Sequence, residues 1–76
     1  MQQKIIEILQ TMHPEADVAH NTHLVDDGIL DSLDIVTLIT ELNAAFEVSI
    51  PAMEIVPDNF NSAAAMADMI QRIDDI

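Results

Sequence analysis

The sequence contains no cysteine, tryptophan or tyrosine, and its one glycine is Gly28. Phe46 and Phe60 are its only aromatic residues, and Lys4 and Arg72 its only basic ones. Fourteen aspartates and glutamates face those two cations, for a formal net charge of −12. Without cysteine there is no disulfide framework and no thiolate metal site. Without a basic patch, a field this negative is repelled by phosphate backbones, which excludes ordinary nucleic-acid binding. The same field opposes anionic membrane surfaces and favours basic partner surfaces. No apolar run approaches the ~20 residues of a membrane helix. The start, Met1-Gln2-Gln3-Lys4-Ile5-Ile6-Glu7, holds no uninterrupted signal-peptide core. Together these absences imply a reduced, cytoplasmic setting and no membrane insertion.

What the chain does have is apolar surface to bury. Half of its 76 residues are hydrophobic, too many for a disordered polyanion. The length implies one small domain over residues 1–76. A domain of ~60 residues buries only about 60% of its unfolded surface, which leaves little for a deep pocket. A monomeric module on which other proteins act is therefore expected, rather than an enzyme.

Ile5, Ile6, Leu9 and Met12 recur at helical spacing, which predicts a first helix over residues 2–13. Pro14 ends it, because the residue before a proline avoids the helical region. Residues 14–31 hold Pro14, Asn21, Asp26, Asp27, Gly28 and all three histidines. They read as a long loop with a short turn near residues 16–19, and loops of this length are often functional. Ile35, Leu38, Ile39, Leu42 and Phe46 then form one stripe, the core face of a helix over residues 32–46. At ~100° per residue, Leu33, Val36 and Thr40 lie on the opposite side, on a second, partly apolar face. Glu47-Val48-Ser49-Ile50-Pro51 is a β-rich stub too short for a sheet, and residues 53–56 predict one helical turn before Pro57. Ser62 can cap a last helix whose buried stripe is Met66, Met69, Ile70 and Ile73. Met12 and Met53 are expected to fill the core along with Met66 and Met69. The fold class is all-α: a small four-helix bundle of three main helices and a short one, with the long loop between helices 1 and 2.

Asp31-Ser32-Leu33 lies where the long loop becomes the central helix. The free N–H groups of a helix start and the macrodipole favour an anion there, so a phosphate on Ser32 would meet the positive end. Asp31 beside it could position a metal–phosphate donor. The plainer alternative is that Asp31 or Ser32 is only the N-cap.

The segment Asp26-Asp27-Gly28-Ile29-Leu30-Asp31-Ser32-Leu33-Asp34-Ile35-Val36 resembles the prosthetic-group site of acyl carrier proteins. The resemblance continues through Leu38-Ile39-Thr40-Glu41-Leu42, Phe46 and Ile50-Pro51 to the last helix. It implies that Ser32 is the attachment point of a covalent 4′-phosphopantetheine, flanked by Asp31 and Leu33. A phosphopantetheinyl transferase, with Mg²⁺ on the transferase, would move the arm from coenzyme A to the Ser32 hydroxyl. The terminal thiol would carry an acyl or aminoacyl group as a thioester, so the reactive sulfur comes with the cofactor. Leu33, Asp34, Val36, Thr40 and Glu41 would dock partners. These would be an adenylating ligase, or acyltransferase and synthase enzymes, with basic patches. Gly28-Ile29-Leu30-Asp31-Ser32 is similar to the Gly-x-Leu-Asp-Ser pattern of D-alanyl and other stand-alone aminoacyl carriers. Fatty-acid carriers have a recognition helix dense in Glu, whereas Thr37, Thr40, Asn43 and Ala44 dilute the acid here. The cargo alternatives are a fatty acyl group of fatty acid biosynthesis, a polyketide, an amino acid or the D-alanine of teichoic acid modification.

Other chemistries find less support. His13, His20 and His23 lack metal-ligand spacing. Asp26-Asp27-Gly28 fails as a calcium loop, since His23 and Val25 would occupy positions that need oxygen ligands. A Ser32–His–Asp triad lacks a nucleophile elbow. From a different class, an acidic helical adaptor without prosthetic group would use the same charge and exposed face. Self-repulsion at −12 should make the fold sensitive to salt and divalent ions. The melting temperature is expected to rise with ionic strength, and a value unchanged from low to high salt would count against that.

Overall fold

The computed structural model describes residues 2–74. Four α-helices run in the order α1 (Gln2–Met12), α2 (Ser32–Phe46), α3 (Pro57–Phe60) and α4 (Ala63–Asp74), with a 3-10 turn at Ala52–Glu54. Among the described residues there is no strand, so the expected all-α architecture holds. α4 packs against both α1 and α3, and α1 also packs against α2.

The α1 register follows from Ile5 and Leu9, one turn apart and fully buried. The helix stops at Met12, one residue short of the expected end. The His13 N–H still donates to the Leu9 carbonyl at 2.8 Å, and Pro14 prevents a further turn. α2 has the expected bounds. Leu38 and Leu42 are its fully buried residues, while Ile35, Ile39 and Phe46 are half-buried at the edge of the core. The helix ends on Glu47, a non-glycine residue in the left-handed region (φ 53, ψ 46) whose N–H reaches the Asn43 carbonyl. The Asn43 side-chain oxygen also accepts from the Ile50 N–H at 3.3 Å, so this residue holds the chain as it leaves the helix.

The segment after α2 departs from expectation. A turn over residues 53–56 is replaced by the 3-10 turn at Ala52–Glu54, and the short helix begins at Pro57 instead of ending before it. A proline fixes φ and needs no N–H partner in the first turn, so it starts a helix more readily than it closes one. Met53 is 80% exposed, not core filling. The fully buried aromatic residue is Phe60, not Phe46. In α4, Ser62 caps as expected, its hydroxyl accepting from the Ala65 N–H at 3.0 Å. Met66, Met69 and Ile70 are buried, and Ile73 is half-buried.

The long loop is built into the core. Val18, Leu24 and Leu30 are as buried as the helix residues. Asn61, between α3 and α4, supplies the polar anchor. Its side-chain oxygen accepts from the N–H groups of Val25 (2.9 Å) and Asp26 (3.1 Å). Its backbone carbonyl accepts from the Leu24 N–H at 2.9 Å, and its amide nitrogen donates to Asp26 Oδ2 at 3.3 Å. The loop then turns through Gly28 at φ +78, where a side chain would be strained, and the Leu30 N–H returns to the Leu24 carbonyl at 3.0 Å.

Two stability measurements follow from this packing. Urea unfolding should show Phe60→Ala losing about 3–5 kcal/mol, with a smaller loss for half-buried Phe46→Ala. Equal losses would show the core to be centred elsewhere. Asn61→Ala removes the acceptor of two loop N–H groups and should lose about 1–3 kcal/mol. Its hydrogen-exchange protection should fall first at Val25 and Asp26. Unchanged protection there would mean that the loop is held by its apolar residues alone.

Candidate functional site

The candidate site is the start of α2, where the anchored loop delivers its last residues. Asp31 is the N-cap, extended at φ −98, ψ −174. Its Oδ1 accepts from the Asp34 N–H at 2.9 Å, and Asp34 Oδ2 accepts from the Asp31 N–H at 3.4 Å. This reciprocal pair is a capping box, with an aspartate where a serine or threonine is commoner. Of the two capping candidates in the sequence, the role therefore falls to Asp31. Ser32 is the first helical residue, exposed, with its hydroxyl free of capping duty.

Ser32 stands beside the unpaired N–H groups and positive dipole end of a helix of 15 residues, where an added phosphate is electrostatically favoured. Beyond it the apolar face is as expected: Leu33 is 77% exposed and Val36 61%. Thr40 and Glu41 are exposed as well, and the Thr40 hydroxyl donates to the Val36 carbonyl at 3.2 Å. Asp34 differs from the other four expected docking residues. Its side chain is half-buried, and its Oδ2 lies 2.8 Å from His13 Nε2 at the end of α1.

Sequence spacing missed two residues here, His13 and Asn61. Their contacts with Asp34 and Asp26 span 21 and 35 positions, so neither left a local pattern. His20 and His23 contact Asp17 at 3.2 Å and Asp26 at 3.7 Å within single exposed turns. No group of three or more potential metal ligands forms among the described residues. Nor is any helix among them long and apolar enough to cross a membrane.

A serine with a free hydroxyl at a helix start is able to bear a phosphate ester. Comparison with known proteins gives the family. Residues 2–70 match the family described as the phosphopantetheine attachment site. The D-alanyl carrier protein of Lactococcus lactis subsp. cremoris is 32% identical over 73 residues, 93% of this chain and 92% of that protein. Aminoacyl carrier protein 2 of Bradyrhizobium diazoefficiens is 41% identical over 63 residues, 83% of this chain and 70% of that protein. Among solved structures, the chain superposes with a TM-score of 0.69 and 35% identity on a chain from a crystal structure of Bradyrhizobium japonicum. That structure is a glycine:carrier protein ligase complexed with its cognate carrier protein and an analogue of glycyl adenylate. The superposition covers 93% of this chain and 91% of the other. On this combination of a helix-start serine, an all-helical fold and a family match over nearly its whole length, the chain belongs to the acyl carrier proteins, which hold 4′-phosphopantetheine covalently.

Proposed function

We propose that Ser32 is the attachment point and that the protein is an aminoacyl carrier, taking its amino acid from an adenylating ligase and delivering it to a further enzyme. The observation that carries this reading is the exposed Ser32 hydroxyl at the first residue of α2, with Asp31 as the cap. The relatives' names support an aminoacyl cargo and give no support to fatty acid biosynthesis. The ligase complex of the structural relative supports an adenylating partner.

In this reading the Ser32 oxygen forms a bond to the β-phosphorus of coenzyme A, and the phosphorus–oxygen bond to the 3′,5′-ADP leaving group breaks. The hydroxyl proton passes to a base on the transferase. Loading from coenzyme A requires the compartment that holds it, the cytoplasm. The α2 dipole favours the new phosphodiester, and Leu33 and Val36 supply apolar contact for a docked enzyme. The bound arm supplies a thiol that carries the amino acid as a thioester. The carrier itself performs no chemistry; it raises the cargo's effective concentration at each partner.

Incubation with coenzyme A, Mg²⁺ and a broad-specificity transferase should add the mass of one phosphopantetheine, and Ser32→Ala should abolish the addition. Leu33→Asp and Val36→Asp should retain helicity yet load more slowly. Modification at Ser49 or Ser62, or no modification with several transferases, would overturn the assignment. The holo form is then offered amino acids and fatty acids with adenylating enzymes. An aminoacyl thioester is expected, and exclusive fatty acylation would refute the cargo class.

A further inference from the structure

The start of α2 is tied to the end of α1 by a contact that loading of Ser32, as described so far, does not use. His13 Nε2 and Asp34 Oδ2 are 2.8 Å apart, with 29% and 26% of their side chains exposed. The same Oδ2 accepts from the Asp31 N–H at 3.4 Å, while the Asp34 N–H donates to Asp31 Oδ1 at 2.9 Å. One carboxylate oxygen thus serves both the imidazole and the capping box. The imidazole contact is the shorter of the two and comes from a different helix end.

We propose that His13 is a positioning residue for phosphopantetheine transfer to Ser32, acting through Asp34. The inference rests on Ser32 being the attachment point. Asp34 is the third residue of α2 and Ser32 the first, so the carboxylate and the incoming phosphate are two anions at one helix end. Both are drawn to the same free N–H groups. A carboxylate free to rotate fills that end itself and repels the phosphate. His13 prevents this by drawing Asp34 Oδ2 toward α1, away from the face where Leu33 and Val36 are exposed. Held there, Asp34 closes the capping box and leaves the Ser32 and Leu33 N–H groups to the phosphate. Without His13 the carboxylate keeps only the 3.4 Å contact, too long to fix its rotamer.

The test is steady-state transfer from coenzyme A to the full chain by a broad-specificity transferase. It compares wild type, His13→Leu, His13→Gln, Asp34→Asn and the double variant His13→Leu/Asp34→Asn. His13→Leu should lower kcat roughly five- to tenfold, the size expected for the loss of one ordinary hydrogen bond. KM for the carrier should not change, because the Leu33 and Val36 surface is intact. His13→Gln keeps a donor and should recover most of the rate. With Asp34 already changed to Asn, His13→Leu should cost nothing more, since its route of action is gone. Urea midpoints confirm that each variant is folded at the assay temperature. If His13→Leu is not, His13→Asn takes its place, its shorter amide being unable to span the contact. Wild-type kcat in the His13 variant would overturn the proposal, as would an equal loss with and without the Asp34 carboxylate or a loss wholly in KM. A wild-type chain that takes no phosphopantetheine on Ser32 would instead overturn the attachment reading.

Discussion

The site depends on one buried amide. A loop with no regular backbone pattern crosses the molecule between α1 and α2, and its N–H groups need partners once water is excluded. Asn61 satisfies those of Val25 and Asp26 with a single oxygen and that of Leu24 with its own carbonyl. With these groups paired, Leu24 and Leu30 can enter the core at no polar cost, and the chain between them closes into a turn through Gly28. The turn fixes where Asp31 arrives, and Asp31 fixes where α2 begins. The exposure of Ser32 is thus set from the junction of α3 and α4, on the far side of the loop in sequence.

The second constraint is charge. A fold carrying −12 must separate or neutralise its carboxylates with few cations. Arg72 is spent on structure: Nη1 meets Glu54 Oε1 at 3.0 Å and Nη2 meets Asn59 Oδ1 at 3.3 Å, tying α4 to the 3-10 turn and to α3. Each of the three histidines contacts an aspartate, at Asp34, Asp17 and Asp26. The two exposed pairs contribute little in water. The His13 pair is different, because it is half-buried and joins two helices. Asp17 and Asp26 of the long loop thus each have an imidazole neighbour, while Asp68 and Asp74 of α4 are exposed.

Helices and their faces were legible because their causes are local. The stripes through Ile5 and Leu9, Leu38 and Leu42, and Met66 and Ile70 repeat at helical spacing, and each led to the helix observed. The same periodicity set Leu33, Val36 and Thr40 apart from the core, and the motif around Ser32 marked the junction where α2 begins. What was illegible is non-local or competitive. Phe46 has the right phase for the core, but it lies in the last turn of α2, where the core thins, and Phe60 takes the centre from a short helix with no period to read. Pro57 was read as a stop when its fixed φ makes it a start. Val18, Leu24 and Leu30 have no spacing that predicts burial. Leu24 and its neighbours Val25 and Asp26 are placed by hydrogen bonds to Asn61, more than thirty positions away.

These constraints bear on how partners tell this carrier from others. α2 holds two acidic residues, Asp34 and Glu41. Asp34 is turned to His13 and Asp31, so Glu41 is the acid that this helix leaves for a partner's basic patch. One exposed charge steers encounter only weakly at physiological salt. In the proposed carrier role, discrimination at close range would fall to Leu33 and Val36, which are large, exposed and adjacent to the proposed attachment serine. Burying both would add apolar area beside the Ser32 hydroxyl, where a mismatched partner would leave it wet. The net charge brings basic surfaces near from any direction, but the apolar pair is fixed to one end of one helix. On this reading the field sets how often partners arrive, and the two side chains set which of them stay.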